Sequence, residues 1–317
     1  ADVKYVANDG QYVWYTSAEV SPVENHLFRV KINVPSKTLW KGVETVKIGK
    51  PQQLTDTEGW HEIAMSPDCR HYIDSWSSLC VPRMTTLCTS DGTAIRTLLT
   101  ADDPTEDYAY TEITLGTVKS ADGRFDNYYR MIKPKDFDPS KKYPILEYIY
   151  SGPGDHYVPK SFFSFNRYMS AIAELGFIVV QVDCMGTSYR SKEFEEVCYK
   201  NLKDAGIPDR KLWIKAAAEK YPYMDIDRVG IFGCSAGGQE STTAVLFHPE
   251  FYKCAYSACG CHDNRMDKIW WNEQWLGYPI GDQYKEGSNV ENAHLLTRPL
   301  MLMVGELDDN VDPASTM

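Results

Sequence analysis

Residues 229–247 constrain this chain more than any other stretch. Val229-Gly230-Ile231-Phe232 has the composition of a buried strand, and residues 237–247 read as a helix. Between them stands Gly233-Cys234-Ser235-Ala236-Gly237-Gly238. A Gly-x-Ser-x-Gly turn from strand to helix is so sharp that the serine takes a strained backbone. Only glycine on either side lets the two elements approach. The Ser235 hydroxyl then projects above the C-terminal edge of a sheet. The Ala236 N–H, at the helix N-terminus, faces the place where an oxyanion develops. Ser235 is therefore a candidate nucleophile and Ala236 a candidate oxyanion donor. A tight turn without chemistry is the competing reading, and the strand before and helix after weigh against it.

The surrounding pattern supplies such a sheet. Residues 115–119 and 128–133 read as paired strands, and residues 143–150 as a buried strand. Phe165, Met169, Ile172 and Ala173 have helical spacing, and residues 177–182 form an apolar strand. A helix is expected from Asp209, as N-cap after Pro208, to just before Tyr221-Pro222. Strands follow at 253–257 and 300–304. This alternation predicts a doubly wound, mostly parallel sheet with helices on both faces over residues 113–317. Residues 1–112 read differently. Short aromatic-rich alternating runs at 12–16, 26–32, 61–66, 71–76 and 84–88 are separated by turn signals. They predict an all-β sandwich, barrel or propeller, with residues 60–89 resembling one propeller blade.

The 317 residues carry 33 basic and 44 acidic side chains, a formal net charge of -11. That argues against nucleic acid as a partner. No apolar run reaches the ~18 residues of a membrane helix. Nine cysteines, an odd number without the spacing of a disulfide scaffold, read as buried thiols. Cys259-Gly260-Cys261-His262-Asp263 lacks the second ligand pair of a structural zinc site, so no metal and no cofactor is expected. The chain begins at Ala1 and ends a few residues past a strand, at Met317. The expectation is a piece of a longer protein, its second domain truncated at the C-terminus.

Val304-Gly305-Glu306-Leu307-Asp308-Asp309-Asn310 follows the 300–304 strand, and Asp308 lies 73 residues after Ser235. With an elbow of this type the acid comes after the serine, at the end of a later strand, and the histidine comes last. Asp308 is the candidate acid that orients the histidine. A solvated Asp-Asp-Asn turn is the alternative. The seven histidines, at 26, 61, 71, 156, 248, 262 and 294, all precede Asp308. The base is expected beyond Met317, with His156 and His262 as the in-chain alternatives.

Taken together these residues resemble the dipeptidyl peptidase IV branch of the prolyl oligopeptidase family of serine peptidases, particularly its bacterial members. The resemblance runs nearly end to end. It rests on Tyr15-Thr16-Ser17-Ala18-Glu19, His26-Leu27-Phe28-Arg29-Val30, Lys142-Tyr143-Pro144-Ile145-Leu146, Tyr150-Ser151-Gly152-Pro153, the elbow, His248-Pro249-Glu250-Phe251-Tyr252 and Asp308-Asp309-Asn310-Val311. It implies an α/β-hydrolase domain over 113–317, preceded by the final blades of a β-propeller over 1–112. It implies a serine exopeptidase that releases N-terminal dipeptides, preferentially after proline. Ser235 matches the nucleophile and Asp308 the acid. Tyr150 matches a tyrosine whose hydroxyl completes the oxyanion hole. Asn310 matches an asparagine that binds the substrate carbonyl before the scissile residue. Trp271 and Val311 match the walls of the proline pocket, where an aromatic face suits the ring. The implied partners are peptides with a penultimate proline and a second copy of the chain in a homodimer. The implied location is periplasmic or exported.

Several residues depart from the family pattern. Asp267 stands near the first pocket tyrosine, Ala236 replaces an aromatic after the serine, and Asp183-Cys184-Met185-Gly186 replaces Asp-Gly-Arg-Gly. The paired glutamates that hold a substrate's amine belong to earlier blades. Two other readings remain open: a related prolyl oligopeptidase or acylaminoacyl-peptidase, and a non-catalytic peptide-binding protein on a degenerate hydrolase fold.

Overall fold

A computed structural model describes residues 1–317 apart from 8–9, 41–42, 105, 107–112, 121, 151–153, 163–168 and 204–205; along 33–40 and 43–47 it describes the backbone only. Ser151-Gly152-Pro153, Phe165 and the expected boundary at 112 fall outside the described residues. The chain divides into two compact units. One comprises residues 1–109 with 159–165, the other residues 110–158 with 166–317.

The first unit is antiparallel throughout. Strands β1 (Asp2–Val6), β2 (Tyr12–Ser17), β3 (His26–Trp40) and β4 (Val43–Ile48) lie side by side in that order, and β5 (Gln52–Gln53) also pairs with β3. The sequence patterning ends the second of the expected strands at residue 32, and β3 instead continues into a hairpin with β4. Its register with β4 shifts between Asn33 and Thr38, around Pro35, which has no N–H to give the ladder. Strands β6 (Trp60–Met65), β7 (His71–Ser78), β8 (Val81–Thr89) and β9 (Ala94–Thr100) form a separate four-stranded meander. This is the geometry of one propeller blade. Trp14, Leu27, Cys69, Tyr72 and Cys88 make a core in this unit.

The second unit holds a seven-stranded sheet of order β10 (Ile113–Lys119), β11 (Asp126–Ile132), β13 (Ile178–Asp183), β12 (Tyr143–Ile149), β14 (Met224–Cys234), β15 (Tyr252–Ala258) and β16 (Leu300–Met303). β10 and β11 are antiparallel additions, and β13, β12, β14, β15 and β16 are mutually parallel. Buried on both faces, β13 is apolar except at Gln181 and Asp183, as a central parallel strand requires. The helices are α1 (Met169–Ala173), α2 (Lys192–Glu195), α3 (Ile207–Lys220), α4 (Ala236–Phe247), α5 (Ile269–Leu276) and α6 (Asp282–Gly287). Among the described residues no helix is long and apolar enough to cross a membrane.

α3 starts three residues earlier than its sequence predicts, with Gly206 and not Asp209 as the N-cap. Gly206 precedes it in a left-handed conformation, with φ 78°, and Pro208 sits in the first turn, where its missing N–H costs nothing. Asp209 does not cap the helix. Its buried carboxylate accepts from Asn127 Nδ2 and from the Met185 N–H, both at 3.2 Å. The next residue, Arg210, donates to Glu147 Oε1 at 2.7 Å and to the Val182 carbonyl at 3.0 Å, while Tyr252 OH donates to Glu147 Oε2 at 2.8 Å. Both side chains of this ion pair are 0% exposed. The pair fastens α3 to β12, β13 and β15 through hydrogen bonds that a buried charge cannot do without.

From β12 the chain passes to β13 on one side and then to β14 on the other. Strand order reverses at that point, and a crevice opens beyond the carboxyl ends of the two strands. Ile149 of β12 pairs with Gly233 of β14. One step past Ile149 lies Tyr150, and two steps past Gly233 lies Ser235.

Candidate active site

The elbow has the strain that its sequence demands. Ser235 sits at φ 59° and ψ −121°, a region that costs a non-glycine residue of order 1–3 kcal/mol unless its surroundings hold it. One hydrogen bond and the close backbone approach that two glycines permit do so. The Ser235 N–H donates to the Ala258 carbonyl at 2.9 Å, which fixes the turn to the end of β15. A side chain at Gly233 would meet the Ile149 carbonyl oxygen at 2.4 Å, and one at Gly237 would meet the same oxygen at 2.1 Å. The glycines thus let α4 press directly on the backbone that carries Tyr150. Ala236 is the first residue of α4, so its N–H has no partner within the helix.

Ser235 and Ala236 open onto a cavity of about 480 Å³, which Tyr150, Trp271, Asn310 and Val311 also line. The fold thus brings six of the seven expected site residues to one place. The seventh, Asp308, stands just behind. Its Oδ1 accepts the N–H of Asn310 at 3.0 Å and of Val311 at 2.9 Å. Those two backbone bonds hold its carboxyl below the usual carboxylate range. The same carboxylate therefore shapes the turn that delivers Asn310 and Val311 to the cavity.

Among the described residues no histidine lines this cavity. His156 lies between the lining residues Asp155 and Tyr157, but its ring is buried against Tyr189 with centroids 4.4 Å apart. His262 follows Cys261 and lines a second cavity, of about 290 Å³, with Leu246, Asn289 and Leu302. Among the described residues no cluster of three or more His, Cys, Asp or Glu side chains is placed to hold a metal.

Several lining residues carry no sequence signal strong enough to single them out. Tyr157 packs its ring on Tyr150, centroids 4.9 Å apart. Burial, reinforced by Tyr150, Asp155, Glu240 and Asp183, pushes its phenol well above the ordinary range, so it stays a donor. Asp183, at the end of β13, accepts the N–H groups of Tyr157 at 2.8 Å and Val158 at 2.9 Å and so positions this stretch. On the opposite wall Lys268 donates to Asp267 Oδ1 at 3.1 Å and to the Asn310 carbonyl. The Asp267 side chain is only 12% exposed. The lining residue Gln239 is tied into a buried amide chain behind the cavity. Gln239 Nε2 donates to Asn264 Oδ1 at 2.8 Å, Asn264 Nδ2 to Asn272 Oδ1 at 2.7 Å, and Asn272 Nδ2 to the Lys268 carbonyl at 2.9 Å. Trp270 and Trp271, at the start of α5, supply the aromatic surface.

A family model described as the prolyl oligopeptidase family matches residues 163–317, and one described as the dipeptidyl peptidase IV N-terminal region matches residues 2–83. Dipeptidyl peptidase 8 of Homo sapiens is 27% identical over 322 residues, covering 96% of this chain and 34% of that protein. Prolyl endopeptidase FAP of Mus musculus is 29% identical over 198 residues, covering 61% of this chain and 26% of that protein. The crystal structure of Porphyromonas gingivalis dipeptidyl peptidase 4 superposes with a TM-score of 0.87 at 26% identity, covering all of this chain and 43% of that one. The chain spans about a third of the length of the curated relatives it matches from end to end. With blades of a β-propeller preceding an α/β-hydrolase domain, the chain belongs to the dipeptidyl peptidase IV-like branch of the prolyl oligopeptidase family.

Proposed function

We propose that the protein is a serine peptidase that releases dipeptides from the free N-terminus of peptide substrates. The observation that carries this reading is the strained Ser235 at the mouth of a cavity shared with Tyr150, Ala236 and Asn310. In this scheme the Ser235 oxygen attacks the scissile carbonyl. Its proton passes to a histidine oriented by Asp308, which stabilises the imidazolium that forms. The new oxyanion accepts from the Tyr150 phenol and the Ala236 N–H, donors set in place before the charge appears. Asn310 binds the preceding substrate carbonyl. Residues 1–112 serve as propeller blades and 113–317 as the catalytic domain, in an exported, homodimeric enzyme.

Preference for proline after the first residue is part of the proposal, supported by Trp271 and Val311. One observation favours a broader second reading. The wall at Asp267 and the lining residue Gln239 offer hydrogen bonds where a proline ring needs none. A small hydroxyl or amide side chain suits that face better.

The test uses the full-length protein with chromogenic dipeptides ending in proline, serine or asparagine, each with a free and with an acetylated amine. Hydrolysis of the free-amine substrates only, lost together with fluorophosphonate labelling in Ser235→Ala, is expected. Equal hydrolysis of acetylated substrates points to an acylaminoacyl-peptidase. Full labelling of Ser235→Ala removes Ser235 from the reaction.

A further inference from the structure

The residue before the nucleophile is a cysteine, and it has a partner. Cys234 Sγ lies 3.3 Å from Cys259 Sγ. Cys234 ends β14 and is exposed, and Cys259 follows β15 and is partly exposed. The backbone geometry suits a cross-link. Cys234 pairs with Ala258 across parallel strands, so Cys259 is the diagonal neighbour. A strand spacing of about 4.8 Å and a rise of about 3.3 Å per residue place the two Cα atoms roughly 5.8 Å apart. That is close to the commonest separation in disulfides, within a window of about 4.4–6.8 Å. Cys259 also takes φ 39°, a left-handed turn out of the strand, and its side chain converges with that of Cys234 instead of alternating away.

We propose that Cys234 and Cys259 form a reversible disulfide behind the nucleophile, closed by exchange with a small disulfide of the glutathione class. The Cys259 thiolate attacks one sulfur of the small disulfide and expels the first small thiolate, leaving a mixed disulfide on Cys259. Cys234 then gives up its proton and attacks the Cys259 sulfur, expelling the second small thiolate. Two protein thiols are oxidised, one small disulfide is reduced to two thiols, and the two protons end on those thiols. The order follows from the local chemistry. Partial burial, then the contact with Cys259, pushes the Cys234 thiol up to about 11, so Cys234 keeps its proton at neutral pH and is the second to react.

The bond would tie the strand that ends at Ser235 to the turn after Ala258, whose carbonyl already holds the Ser235 N–H. The Cys259 N–H in turn donates to Met303 of β16 at 2.7 Å. One cross-link thus fastens the nucleophile's turn to the ends of two neighbouring strands. An oxidising compartment closes it and a reducing one opens it.

The test is thiol trapping on the full-length protein across glutathione buffers from fully reduced to fully oxidised, followed by alkylation and peptide mapping. Alkylation of Cys234 and Cys259 is expected to fall together, with a matching gain of one peptide cross-linked between them. That species must persist in Cys254→Ser and Cys261→Ser, which removes two other thiols of the hydrolase unit as partners. It must vanish in both Cys234→Ser and Cys259→Ser. The proposal fails if Cys234 and Cys259 stay fully alkylated in a buffer that glutathionylates the exposed Cys80. It also fails if the cross-linked peptide joins Cys234 to Cys254.

Discussion

His262 offers a measurable test of the packing behind the candidate site. The ring is 4% exposed. Its Nδ1 lies 3.2 Å from Asn289 Nδ2, an amide group that can only donate; the same amide also donates to the Gln239 carbonyl, while its oxygen accepts from Thr243. Nδ1 is therefore an acceptor, and the single ring proton sits on Nε2. Among the described residues Nε2 has no hydrogen-bond partner. A second proton would break the bond from Asn289 and leave a cation in an apolar enclosure. Burial accordingly pushes the His262 pKa down from 6.5 to about 4. In the unfolded chain the imidazole titrates near ~6.5. Between those values the unfolded state binds a proton that the folded state does not. Stability is thus full above pH ~6.5 and is lost as pH falls toward ~4, by about 1.4 kcal/mol per unit and about 3 kcal/mol in all. At pH 5 the loss is about 2 kcal/mol. Urea unfolding of the wild type and of His262→Gln, each at pH 8 and pH 5, isolates this group from every other carboxylate and histidine. The glutamine keeps an acceptor for Asn289 and cannot titrate. The variant should lose about 2 kcal/mol less than the wild type between the two pH values. An identical pH dependence in both proteins would refute the burial argument.

Three further outcomes are expected. Tyr150→Phe should lower turnover by about 10²–10³ with little change in substrate affinity, because the phenol donor matters most once charge develops; steady-state kinetics on a free-amine dipeptide substrate measures both, and unchanged turnover removes Tyr150 from the oxyanion site. Asp267→Tyr should raise kcat/KM for proline substrates about fivefold, since an aromatic wall contributes roughly 1 kcal/mol, and a rise for serine or asparagine substrates instead would reverse the assignment of that wall. Gly237→Ala should destabilise the hydrolase unit by about 4 kcal/mol or more, because its new Cβ meets backbone at 2.1 Å, and a thermal melt matching the wild type would show that α4 does not press on β12.

The elbow was legible because its determinants are local. A strand, two glycines at fixed offsets and a helix lie within 20 residues, and each is forced by sterics alone. The turn at Asp308 was legible for the same reason. The parallel sheet followed from the rhythm of apolar strands and helices. What the rhythm hides is polar. Glu147 lies in a strand read as buried, and only its distant partners, Arg210 and Tyr252, explain how a carboxylate sits there. Asp209 is the residue type of a helix cap, and its Oδ2 accepts from Asn127 and Met185 instead. Propensity describes what a side chain does when nothing else competes, and here tertiary partners compete.

The cavity wall follows the same rule with consequences for specificity. Ala236 follows the serine where the family pattern has an aromatic residue, and Asp267 stands near the position of the first pocket tyrosine, so under the proposed function the pocket lacks two ring faces. Taken alone, each change reads as a loss of proline binding. The structure adds what sequence order could not, that Gln239, Asn264 and Asn272 form one buried amide chain that ends on the backbone of Lys268. The Lys268 ammonium in turn bridges the Asp267 carboxylate and the Asn310 carbonyl. A carboxylate at 267 is tolerable because this lysine and this amide chain accompany it. An isolated Asp267 would face a mostly buried wall without a counter-charge. Asp267, Lys268 and the amide chain behind them therefore make one linked set of donors and acceptors, and such a set is how a pocket selects a substrate group that can answer it.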